Sequence, residues 1–300
     1  MPSTWTKALI ELIRQTSADL PRDVEAALRK ARRHEKPQSS ARWALDTILD
    51  NIRLARARGA PLCQDTGALL FYCAVPFRFD TRVLTAAIHA AVRQATSHGS
   101  LRPNTINPLT GCSCAPALHS PLGEGGPVIH VEFAPRRTVA IRLIMKGGGS
   151  ENVSAQFSLP DARLEAGRDL EGVRRCMLAA VAQAQGNGCA PGVLGVCIGG
   201  DRATGAECAK RQFLRLLNDR APDVRLAALE RQVLQDTQKL GIGPMGFGGA
   251  TTLLGVKIGA LARLPASYFV SVAYMCWAFR RRGVVLDAAG RIVRQLYDHC

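Results

Sequence analysis

A chain of 300 residues, 47% hydrophobic and 21% charged, has enough apolar surface to bury a core without staples, which excludes intrinsic disorder and any dependence on a disulfide scaffold. No uncharged apolar run reaches the roughly 18 residues that a membrane span needs, and Met1 to Lys7 lack the basic and apolar regions of a secretion signal. The formal charge of +15 is carried by 32 arginines and only seven lysines; a field of this sign would attract nucleic acid, small polyanionic substrates or an acidic partner chain alike, so by itself it excludes none of them.

In chain order, residues 3–58 read as helical, with one apolar stripe of Trp5, Leu9, Leu12 and Ile13 and another of Trp43, Ile48, Ile52 and Ala55 ending at Gly59 as a C-cap. A loop over 60–67, an apolar strand over 68–75 and an amphipathic helix capped by Asp80 and running to about Ser97 follow. Residues 99–127 hold five prolines and five glycines and read as a long irregular loop. Alternating runs over 128–134 and 138–145, joined across Pro135-Arg136, suggest a hairpin leading into a triple-glycine segment. A helix is expected from about 162 to 185, a strand over 193–198, helices near 201–217 and 223–239, and strands over 251–259 and 268–276. The fold class is mixed α/β (α+β): a helical N-terminal region, then a mixed sheet with flanking helices. It is read as a single domain over 1–300, with 1–58 as a helical N-terminal lobe.

Ten cysteines without a secretion signal point to a reducing, cytoplasmic setting, where they are free thiols, core fillers or metal ligands. Cys63 lies just before one strand, Cys189 in a glycine-flanked turn before another, and Cys276 at the end of a third, positions at which functional residues collect. Their separations, 126 and 87 residues, match no local zinc or ferredoxin pattern, so spacing alone leaves buried inert thiols as the default. Cys112-Ser113-Cys114 is a weaker zinc candidate, and Cys176 and Cys208 fall on expected helices. The basic residues are scattered (29–33, 53–58, 136–137, 280–282), aromatics are 5%, and no helix-turn-helix, RNP or finger pattern occurs. These features argue against nucleic acid and assign most arginines to solvated helix faces.

Six segments change the weight of the cysteines. In order they are Pro61-Leu62-Cys63-Gln64-Asp65-Thr66-Gly67, Leu101-Arg102-Pro103-Asn104, Lys146-Gly147-Gly148-Gly149-Ser150-Glu151-Asn152, Asn187-Gly188-Cys189-Ala190-Pro191, Gly241-Ile242-Gly243-Pro244-Met245-Gly246-Phe247-Gly248-Gly249 and Cys276-Trp277-Ala278-Phe279-Arg280-Arg281. With them the chain, from about residue 40 to 285, resembles the iron-sulfur (class I) fumarate hydratases, specifically the α chain of the two-chain forms, with L(+)-tartrate dehydratase α as a close relative. The resemblance implies that Cys63, Cys189 and Cys276 ligate a [4Fe-4S] cluster whose fourth iron stays open as a Lewis acid for a substrate hydroxyl. It implies a catalytic Asp65, substrate contacts from Gln64 and Arg102, and Gly148 letting backbone N–H groups approach the substrate. The reaction implied is reversible dehydration of a small 2-hydroxy dicarboxylate such as malate, by an enzyme active only with a separate β subunit in an α2β2 particle. Three positions depart from the family pattern. Leu264 stands twelve residues before the third cysteine, where relatives usually carry histidine, and would remove an acid–base contribution of roughly 10² to 10⁴. Trp277 follows the tartrate dehydratase form, and Phe279 replaces a further histidine of that form. A divergent, non-catalytic cluster-binding paralogue is therefore the competing reading.

Overall fold

The computed structural model describes residues 3–103, 105–112 and 126–297. Its backbone divides into two compact units. The first gathers residues 1–22, 50–147 and 280–300, the second 23–49 and 148–279, so the helical N-terminal segment is shared between them. The mixed α/β character, with helices preceding the sheets, is as the sequence indicates.

In the first unit, helix α1 (Thr4–Ala18) starts at Ser3, whose hydroxyl accepts the Thr6 N–H; α2 (Arg22–His34) and α3 (Ser40–Arg58) follow, mostly or partly in the second unit. Strand β1 (Ala68–Pro76) leads to α4 (Thr81–Ser97), capped by Asp80 as expected. Strands β2 (Val128–Ala134), β3 (Val139–Lys146), β8 (Arg280–Leu286) and β9 (Ile292–Leu296) complete a sheet of order β2-β1-β3-β8-β9 among the described residues. Phe71, Cys73 and Val75 of β1 alternate onto the same face as Ile141, Leu143 and Met145 of β3, and α1 and α4 cover that face with Leu9, Ile13, Leu84, Ile88 and Val92.

The expected hairpin of 128–134 with 138–145 does not form. β1 inserts between the two runs, parallel to β2 and antiparallel to β3. The run Leu69 to Cys73 is buried on both of its faces, which makes β1 a central strand that needs a partner on each side. β2, mostly exposed, takes the edge. The second apolar stripe also needs correction: Ile48, Ile52 and Ala55 are buried, but Trp43 is 67% exposed. Its five-residue offset from Ile48 puts it off the i, i+3/i+4 row.

The second unit is built on a sheet of order β4-β7-β5-β6 among the described residues, from β4 (Ala155–Ser158), β5 (Gly192–Gly199), β6 (Leu253–Leu261) and β7 (Phe269–Met275). A short helix α5 (Gly148–Asn152) forms from the triple-glycine segment; α6 (Leu170–Ala184), α7 (Arg202–Arg211) and α8 (Val224–Gln238) follow. Leu194, Val196 and Ile198 of β5 face the core shared with Met177, Val181, Leu229 and Val233. The helix expected from 162 begins only at Leu170, because Asp161 turns the chain, bonding the Arg163 and Leu164 N–H groups and bridging to Ala166, and Asp169 supplies the cap. Of 264–279 only 269–275 is strand. No described helix is long and apolar enough to cross a membrane.

Candidate active site

The Cys63 loop belongs to the first unit. Buried Leu62 anchors it, its N–H donating to Ser17 O at 2.9 Å and its carbonyl accepting from Asn51 Nδ2 at 2.8 Å. Asp65 Oδ1 accepts the Gly67 N–H at 2.9 Å, an Asx turn that fixes the carboxylate's direction. Thr66 Oγ1 accepts the Arg102 N–H at 3.1 Å, and Arg102 Nη1 donates to Gln64 O at 3.3 Å. Gly67 has φ +78°, and a β-carbon there would lie 2.6 Å from the Lys146 carbonyl; one on Gly147 would lie 3.0 Å from Asp65 Oδ2. The loop therefore packs on the start of the triple-glycine segment through two positions that admit no side chain. Cys63 and Asp65 are half-buried, while the side chains of Gln64 and Arg102 are exposed.

The loop also rests on a cation that the sequence reading misassigned. Arg280 and Arg281, expected on solvated faces, are 1% and 0% exposed because β8 lies inside the sheet between β3 and β9. Arg280 Nη2 donates to Asp65 O at 2.8 Å, whereas its Nε and Nη1 have no hydrogen-bond partner among the described residues. A buried guanidinium is costly unless acceptors or an anion complete it. Together with buried Lys146 and exposed Arg102, it makes the neighbourhood of Gln64 and Asp65 one that favours carboxylates.

Cys189 and Cys276 belong to the second unit, as does Gly148, exposed at the start of α5. Cys189 adopts the left-handed conformation (φ 54°, ψ 62°), uncommon for a residue with a side chain. The turn around it wraps the ring of Tyr274: β-carbons on Gly188 and Gly192 would fall 2.5 and 2.4 Å from ring atoms. The Trp277 N–H donates to Cys189 O at 3.1 Å, which ties the residue after Cys276 to the Cys189 turn. Burial pushes the Tyr274 hydroxyl pKa upward, and the negative charge of Cys276 and Cys189 nearby adds to the shift. The same hydroxyl is buried without a hydrogen-bond partner among the described residues. Two soft sulfur donors beside an orphaned O–H suit a thiophilic metal group, with the hydroxyl supporting the sulfurs. No three His, Cys, Asp or Glu side chains are gathered into a metal site among the described residues; the structure joins the segments of Cys189 and Cys276, and Cys63 lies in the other unit.

The second glycine-rich loop braces this turn. The Met245 N–H donates to Ala190 O at 2.8 Å, and Gly186 meets Gly246 so closely that a β-carbon would lie 2.9 Å from its Cα. Glu35, only 3% exposed, holds the far end of the loop by accepting the Ala250 and Thr251 N–H groups at 2.9 and 2.8 Å. Neither Glu35, Tyr274, Gly147 nor Arg280 was singled out from the sequence. Glycines one residue before and three after Cys189 were a readable sign of a packed turn; Glu35, in the link between two helices, gave none.

Leu264 is 75% exposed in the turn between β6 and β7. The whole of β7 separates it from Cys276, about 20 Å of extended chain, so a histidine at this position would not stand beside the Cys189–Cys276 turn of its own chain. Among the remaining thiols, burial pushes Cys73 and Cys176 up to about 12, as befits core fillers. Cys176 and Cys208 lie on helices as expected. Cys112 is exposed; Cys114 and Asn104 lie outside the described residues.

The fold is a mixed α/β chain with a thiol-bearing turn, a cation-backed Asp loop and two braced glycine segments, and comparison with known proteins makes its class specific. The family described as fumarate hydratase (Fumerase) matches residues 6–285. A Geobacillus stearothermophilus protein named as a class I fumarate hydratase is 47% identical over 97% of this chain, which spans 57% of that protein's length. A Methanocaldococcus jannaschii protein named as an L(+)-tartrate dehydratase subunit alpha is 33% identical over 93% of this chain and 97% of its own. The L(+)-tartrate dehydratase subunit alpha of Escherichia coli K12 is 29% identical over 94% and 91%. The chain belongs to the fumarate hydratase family, the one its motifs resemble.

Proposed function

We propose that the chain is the cluster-binding α component of an iron-sulfur hydro-lyase that reversibly dehydrates a small 2-hydroxy dicarboxylate, with malate and fumarate as the first pair to test. The observation that carries this reading is the meeting of the Cys189 and Cys276 segments around Tyr274 in a chain of this family. In it, Cys63, Cys189 and Cys276 hold a [4Fe-4S] cluster. When bound, such a cluster supplies an iron with an open position, a Lewis acid toward a departing hydroxyl.

The chain's own residues do the rest. Arg102, exposed and engaged among the described residues by the long bond to Gln64 O, clamps a substrate carboxylate with its planar fork of N–H groups. Negative charge that builds on the carboxylate beside the reacting carbon is met by Arg102 and by the buried field of Arg280 and Lys146. Gln64 orients the hydroxy acid, and Gly148, with no side chain in the way, lets backbone N–H groups approach the substrate. Asp65, its direction fixed by the Gly67 N–H, is placed to handle a proton at Oδ2. The proton-abstracting partner group comes from a separate β subunit in an α2β2 assembly, a reading supported by two relatives being named as alpha subunits.

Tartrate is the second substrate reading, favoured by Trp277 after the third cysteine and by the α-subunit relatives. The test is anaerobic co-expression with a candidate β chain, followed by iron and sulfide analysis and a screen of malate, fumarate and both tartrates. A brown protein is expected, losing its iron in Cys189→Ser and Cys276→Ser but not in Cys176→Ser. A protein still colourless and iron-free after reconstitution refutes the cluster, and a loaded complex inactive on every hydroxy acid refutes the reaction.

A further inference from the structure

A second pair of cysteines, with no part in the proposed centre, meets on the opposite face of the second sheet. Side chains of β5 alternate: Leu194, Val196 and Ile198 enter the core under α6 and α8, so Gly195 and Cys197 face the other way, toward α7. The surface they present is stripped of bulk. Cys197 stands opposite Gly259 of β6 on one side and Ser271 of β7 on the other. A β-carbon on Gly195 would lie 2.3 Å from Ala209 O of α7, and one on Gly205 of α7 would lie 2.8 Å from Ser271 Oγ. The helix therefore rests almost on the sheet backbone. Cys208 projects from it into the space left by Gly259, its sulfur 3.3 Å from where that residue's β-carbon would be. There it lies within hydrogen-bonding reach of the thiol of Cys197, the residue paired with Gly259 across the ladder. A backbone approach of this kind is what a disulfide between a helix and a sheet requires, since it spans only about 4.4–6.8 Å between Cα atoms where ordinary helix-on-sheet spacing is roughly 10 Å.

We propose that Cys197 and Cys208 form a peroxide-sensitive dithiol that closes to a reversible disulfide, strapping α7 to β5. The two sulfurs have different roles. Cys197 is wholly buried, whereas Cys208 is half-buried and can be reached by a small oxidant. The hydrogen bond from Cys197 holds the Cys208 pKa below its ordinary thiol value against the cost of burial, assisted by the Gln212 amide and the Arg211 charge. Cys208 is thus the attacking thiolate and Cys197 the resolving thiol. The Cys208 thiolate attacks one oxygen of hydrogen peroxide; the O–O bond breaks, and hydroxide leaves and takes up a proton to become water, giving a sulfenic acid. The Cys197 sulfur attacks the Cys208 sulfur, the S–S bond forms, and the sulfenic hydroxyl departs as a second water with the Cys197 proton. Two thiols are oxidised and one peroxide is reduced to two waters.

The test treats the native full-length protein with hydrogen peroxide, then blocks remaining thiols with iodoacetamide in denaturing urea, so that buried thiols are also labelled, and maps the digest by mass spectrometry without reduction. A Cys197–Cys208 linked peptide, two hydrogens lighter than the separate pair and released by dithiothreitol, is expected, with loss of the iodoacetamide label at both positions. In Cys197→Ala, whose fold is checked by circular dichroism, the sulfenic acid is left on Cys208 and dimedone should label it there; in the wild type that label should be lost to the faster disulfide. A native protein in which both cysteines keep the iodoacetamide label after peroxide, or one in which Cys208 advances to sulfinic acid without a link, overturns the proposal. Because the peptides are identified by residue, the outcome is independent of whether Cys63, Cys189 and Cys276 hold a cluster.

Discussion

Glu35→Ala should be among the most damaging single changes outside the thiols themselves. The carboxylate is buried and accepts two backbone N–H groups, at 2.9 Å from Ala250 and 2.8 Å from Thr251, and hydrogen bonds to a charged acceptor contribute about 1.5–3 kcal/mol each. The two are not equal on removal. Ala250 is exposed, so water can take over its N–H, whereas Thr251 is buried and its donor would be left with nothing. The expected loss is therefore about 3–4 kcal/mol, below the simple sum of two strong bonds. Glu35→Gln keeps one carbonyl acceptor and should lose about half as much. In urea unfolding the midpoint should fall in the order wild type, Glu35→Gln, Glu35→Ala, and the melting temperature of the alanine variant should drop by roughly 6 °C. Amide exchange adds a local readout: protection should vanish at Thr251 while the strands on either side keep theirs. If the alanine variant unfolds within about 1 kcal/mol of wild type, or if glutamine is as harmful as alanine, Glu35 does not anchor the glycine loop in the way described.

Gly192→Ala would push a methyl group to 2.4 Å from Tyr274 Cζ and is expected to cost about 3 kcal/mol; combining it with Tyr274→Ala should cost at least about 1 kcal/mol less than the sum, and additive losses in urea would refute the packing. Lys257, buried and donating to Asp219 O at 2.6 Å and Oδ1 at 2.9 Å, should lose about 3–5 kcal/mol on change to Met, because Asp219 would remain beside it without this partner. Burial disfavours ionised Asp219, yet hydrogen bonds from Arg215 and Lys257 outweigh it and hold the pKa below the ordinary carboxylate value of about 3.9. Its contribution is present above that value and lost as pH falls through the lower folded-state pKa, so Asp219→Asn should lower stability at neutral pH and flatten the acid limb below about pH 4; an unchanged acid limb in a denaturation series across pH would refute it. Cys73 and Cys176, with pKa values pushed up to about 12 by burial, should resist iodoacetamide in the native protein and react only on unfolding, which a timed alkylation experiment reads directly.

What could be read from the sequence and what could not divide along one physical line. Local signals held: Asp80 caps α4, Gly59 takes φ +61° at the end of α3, and the apolar run around Leu70 is a strand. Cysteines placed at strand ends proved to be at strand ends. The late start of α6, turned by Asp161, is a local failure; the larger ones involve residues whose setting is decided by a distant part of the chain. β1 separates β2 from β3 because its two buried faces demand neighbours that no local pattern names. Arg280 and Arg281 read as a solvated charge run, yet β8 takes an interior place in its sheet and carries them inside. Glu35 looks like one more polar residue of a helix link until the glycine loop 215 positions later folds onto it.

The same distinction explains why the glycines were more informative than the charged residues. A charged side chain is compatible with solvent almost anywhere, so its presence constrains little. A glycine at Gly67, Gly188 or Gly192 is required because another group already occupies the place of its β-carbon, and each such group here is part of, or adjacent to, a candidate functional residue: the Lys146 carbonyl under the Asp65 turn, and the Tyr274 ring under Cys189. Steric exclusion of side chains is how this fold brings the Asp65 loop or the thiol turn against its support, and that support, rather than the cysteine spacing, is what supports the soft-metal centre proposed at Cys189 and Cys276. It also separates this pair from Cys197 and Cys208. There the glycines bring a whole helix down on a sheet and set Cys208 beside Gly259, the strand partner of Cys197, an arrangement proposed above for a bond between the two sulfurs and not for a ligand held in common.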